Sequence, residues 1–149
     1  MLVGDGPELE RCRVLANRCL LGDRVLFTGM RLDVKNLYAA MDVFFLSSLR
    51  GEGWSGVLRE AMAMSLPCIA VDQPSTRDQL QNGEYGLLVS NRILDWGQAV
   101  ERLYEDPELQ IKIGKQANIA ARQFSIESMV DKTQSCYYKV LDRINSPLN

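Results

Sequence analysis

An apolar run, Val43-Phe44-Phe45-Leu46, passes through Arg50-Gly51-Glu52-Gly53-Trp54-Ser55-Gly56 into an amphipathic run, Val57-Leu58-Arg59-Glu60-Ala61-Met62-Ala63. The first run reads as a buried strand and the last as a helix. A strand, a glycine-bearing loop and a helix N-terminus, in that order, restrict the chain to a narrow set of α/β folds. They also form an anion site, because the first amides of the helix have no partner within it. Gly51, Gly53 and Gly56 let a ligand approach the main chain, and Ser55 is placed to cap the helix. Two carboxylates, Glu52 and Glu60, flank this loop with seven residues between them. Helical side chains lean toward the N-terminus, so Glu60 can reach back to the loop mouth. The plainer reading is that carboxylates near a helix start are stabilised by its dipole, and that glycine before a helix is punctuation.

The rest of the chain repeats the alternation of strand and helix. Met1-Leu2-Val3 reads as the end of a strand, Gly4-Asp5-Gly6 as a tight turn, and Pro7 as the first helical residue. Leu9, Cys12, Ala16, Cys19 and Leu20 then follow helical spacing. Val25-Leu26-Phe27-Thr28 is a short buried strand, Gly29-Met30-Arg31 a loop, and Asp33 the cap of a helix with Val34, Leu37, Tyr38 and Met41 on one face. Pro67 to Val71 and Tyr85 to Val89 are further strands, with a polar turn over 72–78 entering a short helix between them. Three helices follow. Their expected inward stripes are Ile93, Trp96, Val100, Leu103 and Tyr104, then Leu109, Ile113, Ala117, Ala120 and Phe124. The last comprises Met129, Thr133, Cys136, Tyr137, Val140, Leu141 and Ile144.

Such a series predicts an α/β fold, a Rossmann-like parallel sheet flanked by helices. Phe44 and Phe45 are both expected to be largely buried, since a parallel strand is covered on two faces. Ligands of these sheets bind at the carboxyl ends of strands. The expected ligand loops are therefore Gly4–Gly6, Gly29–Arg31, Glu52–Gly56 and 72–78, and a nucleotide-sugar has the matching mixture of phosphate and hydroxyl groups. At 149 residues the chain is one domain's worth, and 46% hydrophobic content suffices for a core. A net charge of −2 gives no global argument for nucleic acid or an anionic membrane as a partner, and no nucleic acid is expected. No histidine is present, which excludes Ser-His-Asp and Cys-His catalysis within the chain. Cys12, Cys19, Cys68 and Cys136 lack metal-ligand spacing and read as small core residues in a reducing, cytoplasmic compartment.

Arg50 to Ala63 resembles the motif of two glutamates with seven residues between them in retaining glycosyltransferases of the GT-B fold, close to family 4. Val3-Gly4-Asp5-Gly6-Pro7, Val25 to Gly29, Asp33-Val34 with Leu37-Tyr38, and Asn82 to Val89 match as well, in order and spacing. Trp54 and Ser55 stand where that family has Phe and Gly, and Pro74-Ser75 where a Gly-Gly pair is common. The resemblance implies the C-terminal, donor-binding half of such an enzyme, acting on a nucleoside-diphosphate sugar without a cofactor or metal. It implies Glu52 as the catalytic residue, holding hydroxyls of the donor sugar, and Glu60 on the ribose hydroxyls. The implied donor contacts are Gly4, Asp5, Gly6, Gly29, Met30, Glu52, Gly53, Trp54, Ser55, Gly56, Val57 and Glu60.

In that family an Arg and a Lys on a glycine-containing loop neutralise the leaving diphosphate, and an N-terminal domain carries the acceptor. Neither has a match in residues 1–149. The expectation is a single donor-binding domain truncated at its N-terminus, inactive alone, with an open sheet edge beside Leu2-Val3 that invites self-association or a partner chain. A longer enzyme would sit in the cytoplasm, peripheral to the membrane as one option. The alternative is a non-catalytic module that binds a nucleotide or docks on a partner.

Overall fold

A computed structural model describes residues 1–49 and 53–145. Arg50, Gly51 and Glu52, and with them the expected catalytic residue, lie outside the described residues. The chain divides into two compact units, Met1–Leu37 and Tyr38–Asn149.

In the first unit, α1 (Leu9–Arg18) follows the Gly4–Gly6 turn. Pro7 sits in the turn before this helix and not at its first position; Leu9 N–H bonds back to Gly6 O at 3.1 Å. The two expected strands meet in one parallel bridge, Leu2 to Phe27. Leu2 N–H donates to Leu26 O at 2.8 Å, Thr28 N–H to Leu2 O at 3.0 Å, and Gly4 N–H to Gly29 O at 2.9 Å. Leu26 is exposed, so this is not the buried strand the apolar run suggested. Leu2 and Val3 are exposed too. Cys19 and Leu20 leave the expected helix face: Cys19 closes α1, and Leu20 turns into the left-handed region at φ 54° with its side chain in solvent.

The second unit opens in α2 (Val34–Ala39), at Tyr38, and continues with β1 (Phe44–Leu46), α3 (Gly56–Ala63), β2 (Cys68–Val71), α4 (Pro74–Gln79), β3 (Leu87–Val89), α5 (Ile93–Glu105), α6 (Pro107–Arg122) and α7 (Ile126–Asn145). The three strands form a parallel sheet in the order β1-β2-β3, with Phe45 opposite Ile69 and Ile69 opposite Leu87. Helices cover both of its faces. Side chains alternate across a strand, so Cys68 and Ala70 enter one core layer with Leu58, Ala61, Met62 and Ala117 of α3 and α6. Ile69 enters the other, with Ala99 and Leu103 of α5 and Ile113 of α6. Every residue of β2 is buried, as a central parallel strand requires.

Phe45 departs from expectation: 48% of its surface is exposed. Among the described residues β1 is an edge strand, and Phe45 faces the α5 layer, where Trp96 lies 6.0 Å from it ring to ring. Phe44, on the opposite face, is half-buried against the core that holds Tyr38. Helix α5 also turns differently. Ala99 and Leu103 are buried, while Ile93 and Tyr104 are in solvent. Ala99 and Leu103 enter the core layer that holds Ile69 and Val89. Helix α6 follows its expected stripe through Ile113, Ala117 and Ala120. The α7 stripe does not bury: Met129, Tyr137, Val140, Leu141 and Ile144 are exposed, as is Cys136. Of the cysteines only Cys68 is a buried core residue, and burial pushes its thiol up to about 12.

Candidate functional site

In a parallel sheet the loops following each strand emerge on one edge. In the second unit the described residues of these loops are 47–49 and 53–55 after β1, Asp72-Gln73 after β2 and 90–92 after β3. Hydrogen bonds tie the first two together. Gln73 Nε2 donates to Ser48 O at 2.5 Å. Gln79, fully buried, accepts from Ser55 N–H at 3.2 Å and donates to Ser55 O at 3.0 Å, so one side-chain amide clasps one backbone residue from both sides. Thr76, also buried, donates to Val71 O at 2.5 Å and accepts from Gln73 N–H at 3.1 Å, which holds the turn from β2 into α4.

Ser55 occupies the N-cap position of α3 with extended backbone, as the sequence predicts, but its side chain makes no capping bond. Its hydroxyl is buried without a partner among the described residues. Its amide is spent on Gln79 and is not free for a ligand. The amides that remain for an anion belong to the first turn of α3, at Gly56 and Val57, both exposed. Trp54 is 47% exposed and packs edge-on against Phe124, with ring centroids 5.1 Å apart. That contact anchors the loop to the end of α6. Gly53 is exposed beside it.

Glu60 lies one turn into α3, on the exposed side of the helix. The Tyr38 phenol lies 2.9 Å from its Oε2 and 3.3 Å from Val57 O. A phenol has one proton, and the nearer, anionic oxygen takes it. Burial, then the bond to Glu60, raises the Tyr38 phenol well above its ordinary range. The sequence showed Tyr38 only as part of an apolar helix face; a tyrosine on such a face needs a partner for its hydroxyl, and that was the available signal. Gln79 had none, because its role depends on a residue 24 positions away.

Of the expected donor contacts, Gly53, Trp54, Ser55, Gly56, Val57 and Glu60 share the second unit. Gly4, Asp5, Gly6, Gly29 and Met30 belong to the first. There Gly4 and Gly29 have φ of 120° and 65°, which glycine adopts without strain, and Asp5 accepts from Gly6 N–H at 2.8 Å. Met30 is exposed. Arg77 is paired with Asp72 through two hydrogen bonds, which hold the Asp72 carboxyl below its usual range.

Parallel strands, helices on both faces and an open helix start after the first strand of the sheet make this a Rossmann-like domain, consistent with that of a GT-B glycosyltransferase. The chain belongs to the family of glycosyl transferases group 1, whose model matches residues 1–119. It is 35% identical over 144 residues to N-acetyl-alpha-D-glucosaminyl L-malate synthase of Bacillus anthracis, covering 95% of this chain and 37% of that enzyme. It is 31% identical over 139 residues to an Escherichia coli enzyme, UDP-Gal:alpha-D-GlcNAc-diphosphoundecaprenol alpha-1,3-galactosyltransferase, covering 92% of this chain and 36% of that one. Among solved structures it is similar to Anabaena HepE in complex with UDP, at 25% identity and a TM-score of 0.84, covering 93% of this chain and 40% of HepE. The chain thus spans well under half the length of these relatives.

Proposed function

We propose that this chain is the donor-binding portion of a retaining glycosyltransferase, which moves a sugar from a nucleoside-diphosphate sugar to an acceptor such as a saccharide or lipid-linked glycan. The observation that carries the reading is Glu60: an exposed carboxylate, held by a buried phenol, one turn from the open amides of α3. That spacing suits the two ends of a nucleoside diphosphate. Glu60 accepts the ribose hydroxyls, and the first turn of α3 receives phosphate oxygens. Glu52 would hold the donor sugar. UDP is the nucleotide to expect, since HepE is similar in fold and was solved with UDP and the E. coli relative is named for UDP-Gal.

The chemistry follows from charge. Sugar transfer leaves an oxocarbenium-like sugar and a departing diphosphate, so the site must stabilise growing negative charge. A lone helix terminus supplies about half a charge. Arg77 is committed to Asp72 and adds little. The site in this chain is therefore equipped to bind a donor more than to activate it.

Isothermal titration against UDP, GDP and ADP tests the reading. UDP should bind, and Glu60→Ala should weaken it by about 1.5–3 kcal/mol, the net contribution of a hydrogen bond to a charged group. Affinity unchanged by the substitution, for every nucleotide that binds, would sink the assignment. A second reading, a non-catalytic module that docks on a partner chain, draws on the exposed apolar face of α7. It predicts no nucleotide binding and concentration-dependent mass in solution.

A further inference from the structure

Tyr38 is 7% exposed, although α2 is only six residues long and most of its other residues are open to solvent. Its ring packs in the core with Leu46, Leu58 and Met62, and lies 5.9 Å from Phe44 in a tilted pair. From that rigid seat its hydroxyl reaches out to the one carboxylate of α3. We propose that Tyr38 is a positioning residue that holds Glu60 in the conformation needed to receive a vicinal diol, the ribose of a nucleoside diphosphate. The inference rests on the nucleotide reading above.

A glutamate side chain has three rotatable bonds and, when exposed, samples many rotamers that a ligand would have to select among. Tyr38 removes that freedom before the ligand arrives, and preorganisation of this kind appears as affinity. The phenol occupies one lone pair of Oε2 and leaves both lone pairs of Oε1 open. A single carboxylate oxygen with two open acceptor sites, backed by a second with one, suits two adjacent hydroxyl donors. Val57 O, at 3.3 Å, is the more distant acceptor for the same proton. With its proton on Glu60 Oε2 and its ring in the core, the phenol acts through Glu60.

Tyr38→Phe keeps the ring in its seat and deletes only the hydroxyl. Titration of this variant with UDP should show a Kd roughly tenfold higher than the parent chain, the scale of one net hydrogen bond. With 2′,3′-dideoxy-UDP, which has no diol for Glu60 to receive, the parent and Tyr38→Phe chains should bind alike. In a Glu60→Ala background, adding Tyr38→Phe should change UDP affinity no further. Equal losses for UDP and dideoxy-UDP would mean that Tyr38 merely supports the fold, and would overturn the proposal. So would an unchanged Kd in a chain whose UDP binding still depends on Glu60; the nucleotide reading would survive that result. Absence of binding by the parent chain to UDP, GDP and ADP would overturn both. If Tyr38→Phe melts well below the parent, the UDP and dideoxy-UDP comparison is made at a temperature where both chains are folded, and the same equality of losses decides against the proposal.

Discussion

Ser65 carries the backbone out of α3 at φ 61°, in the left-handed region. Its N–H donates to Met62 O at 2.9 Å, and Leu66 N–H to Ala61 O at 3.1 Å, the pair of bonds that closes a helix in a Schellman motif. Serine has a Cβ that this conformation penalises, and glycine does not. Ser65→Gly should therefore raise stability by about 0.5–1 kcal/mol, the relief of the left-handed penalty less the added entropy of the unfolded chain. Urea denaturation checks this, and a lower midpoint would contradict it. Tyr38 gives a second expectation at this scale. Its phenol is raised above the ordinary value of about 10, so the native state holds the proton after the unfolded state has released it. The contribution of this group is fully present below pH 10 and is lost as pH rises further. Unfolding free energy measured from pH 9 upward should fall more steeply for the parent than for Tyr38→Phe. Cys68 adds a slope of the same sign between pH 9 and about 12 in both chains and cancels in the comparison. Parallel curves would show that the phenol titrates normally.

At the scale of elements, α3 and α6 meet at a point where no side chain fits. A Cβ placed on Gly114 of α6 would lie 2.2 Å from Ser65 O, a backbone atom that cannot step aside. Asn118 Nδ2 donates to Ala63 O at 2.6 Å one turn along, which fixes the same approach. Gly114→Ala should destabilise the chain by about 1–3 kcal/mol despite the better helix propensity of alanine. Thermal melting checks it; an unchanged or higher Tm would mean that the two helices separate freely. The contact also bears on the site, because α6 carries the Phe124 junction against which Trp54 rests. The helix stripes show what periodicity can and cannot decide. In α6 the stripe is built from small residues bounded by Ile113, and only one face can approach α3 closely. In α5 and α7 large apolar residues lie on several sides, and burial follows whichever neighbour is present.

For the molecule as a whole, the expected outcome is binding without turnover. Positioning donor and acceptor together accounts for much of a two-substrate rate enhancement, and charge stabilisation of the leaving group for much of the rest. The chain spans 37% of the N-acetyl-alpha-D-glucosaminyl L-malate synthase it resembles, and its described site offers helix amides and Glu60 to a diphosphate sugar. Purified chain incubated with labelled nucleotide-sugars and mixed acceptors should give no transfer above the buffer rate. Transfer that Glu52→Ala abolishes would show a complete enzyme. The order of strands and helices, the parallel sheet and the helix start at Ser55 were determined by the sequence itself. Apolar runs of strand length, glycine turns and helical spacing are local properties of neighbouring residues. Assembly of the sheet settled which groups already have partners. The Ser55 amide goes to Gln79, one oxygen of Glu60 to Tyr38, Arg77 to Asp72, and Phe45 lies at an edge. Burial and hydrogen-bond partnership depend on distances between residues far apart in the chain, and those distances exist only once the sheet has assembled.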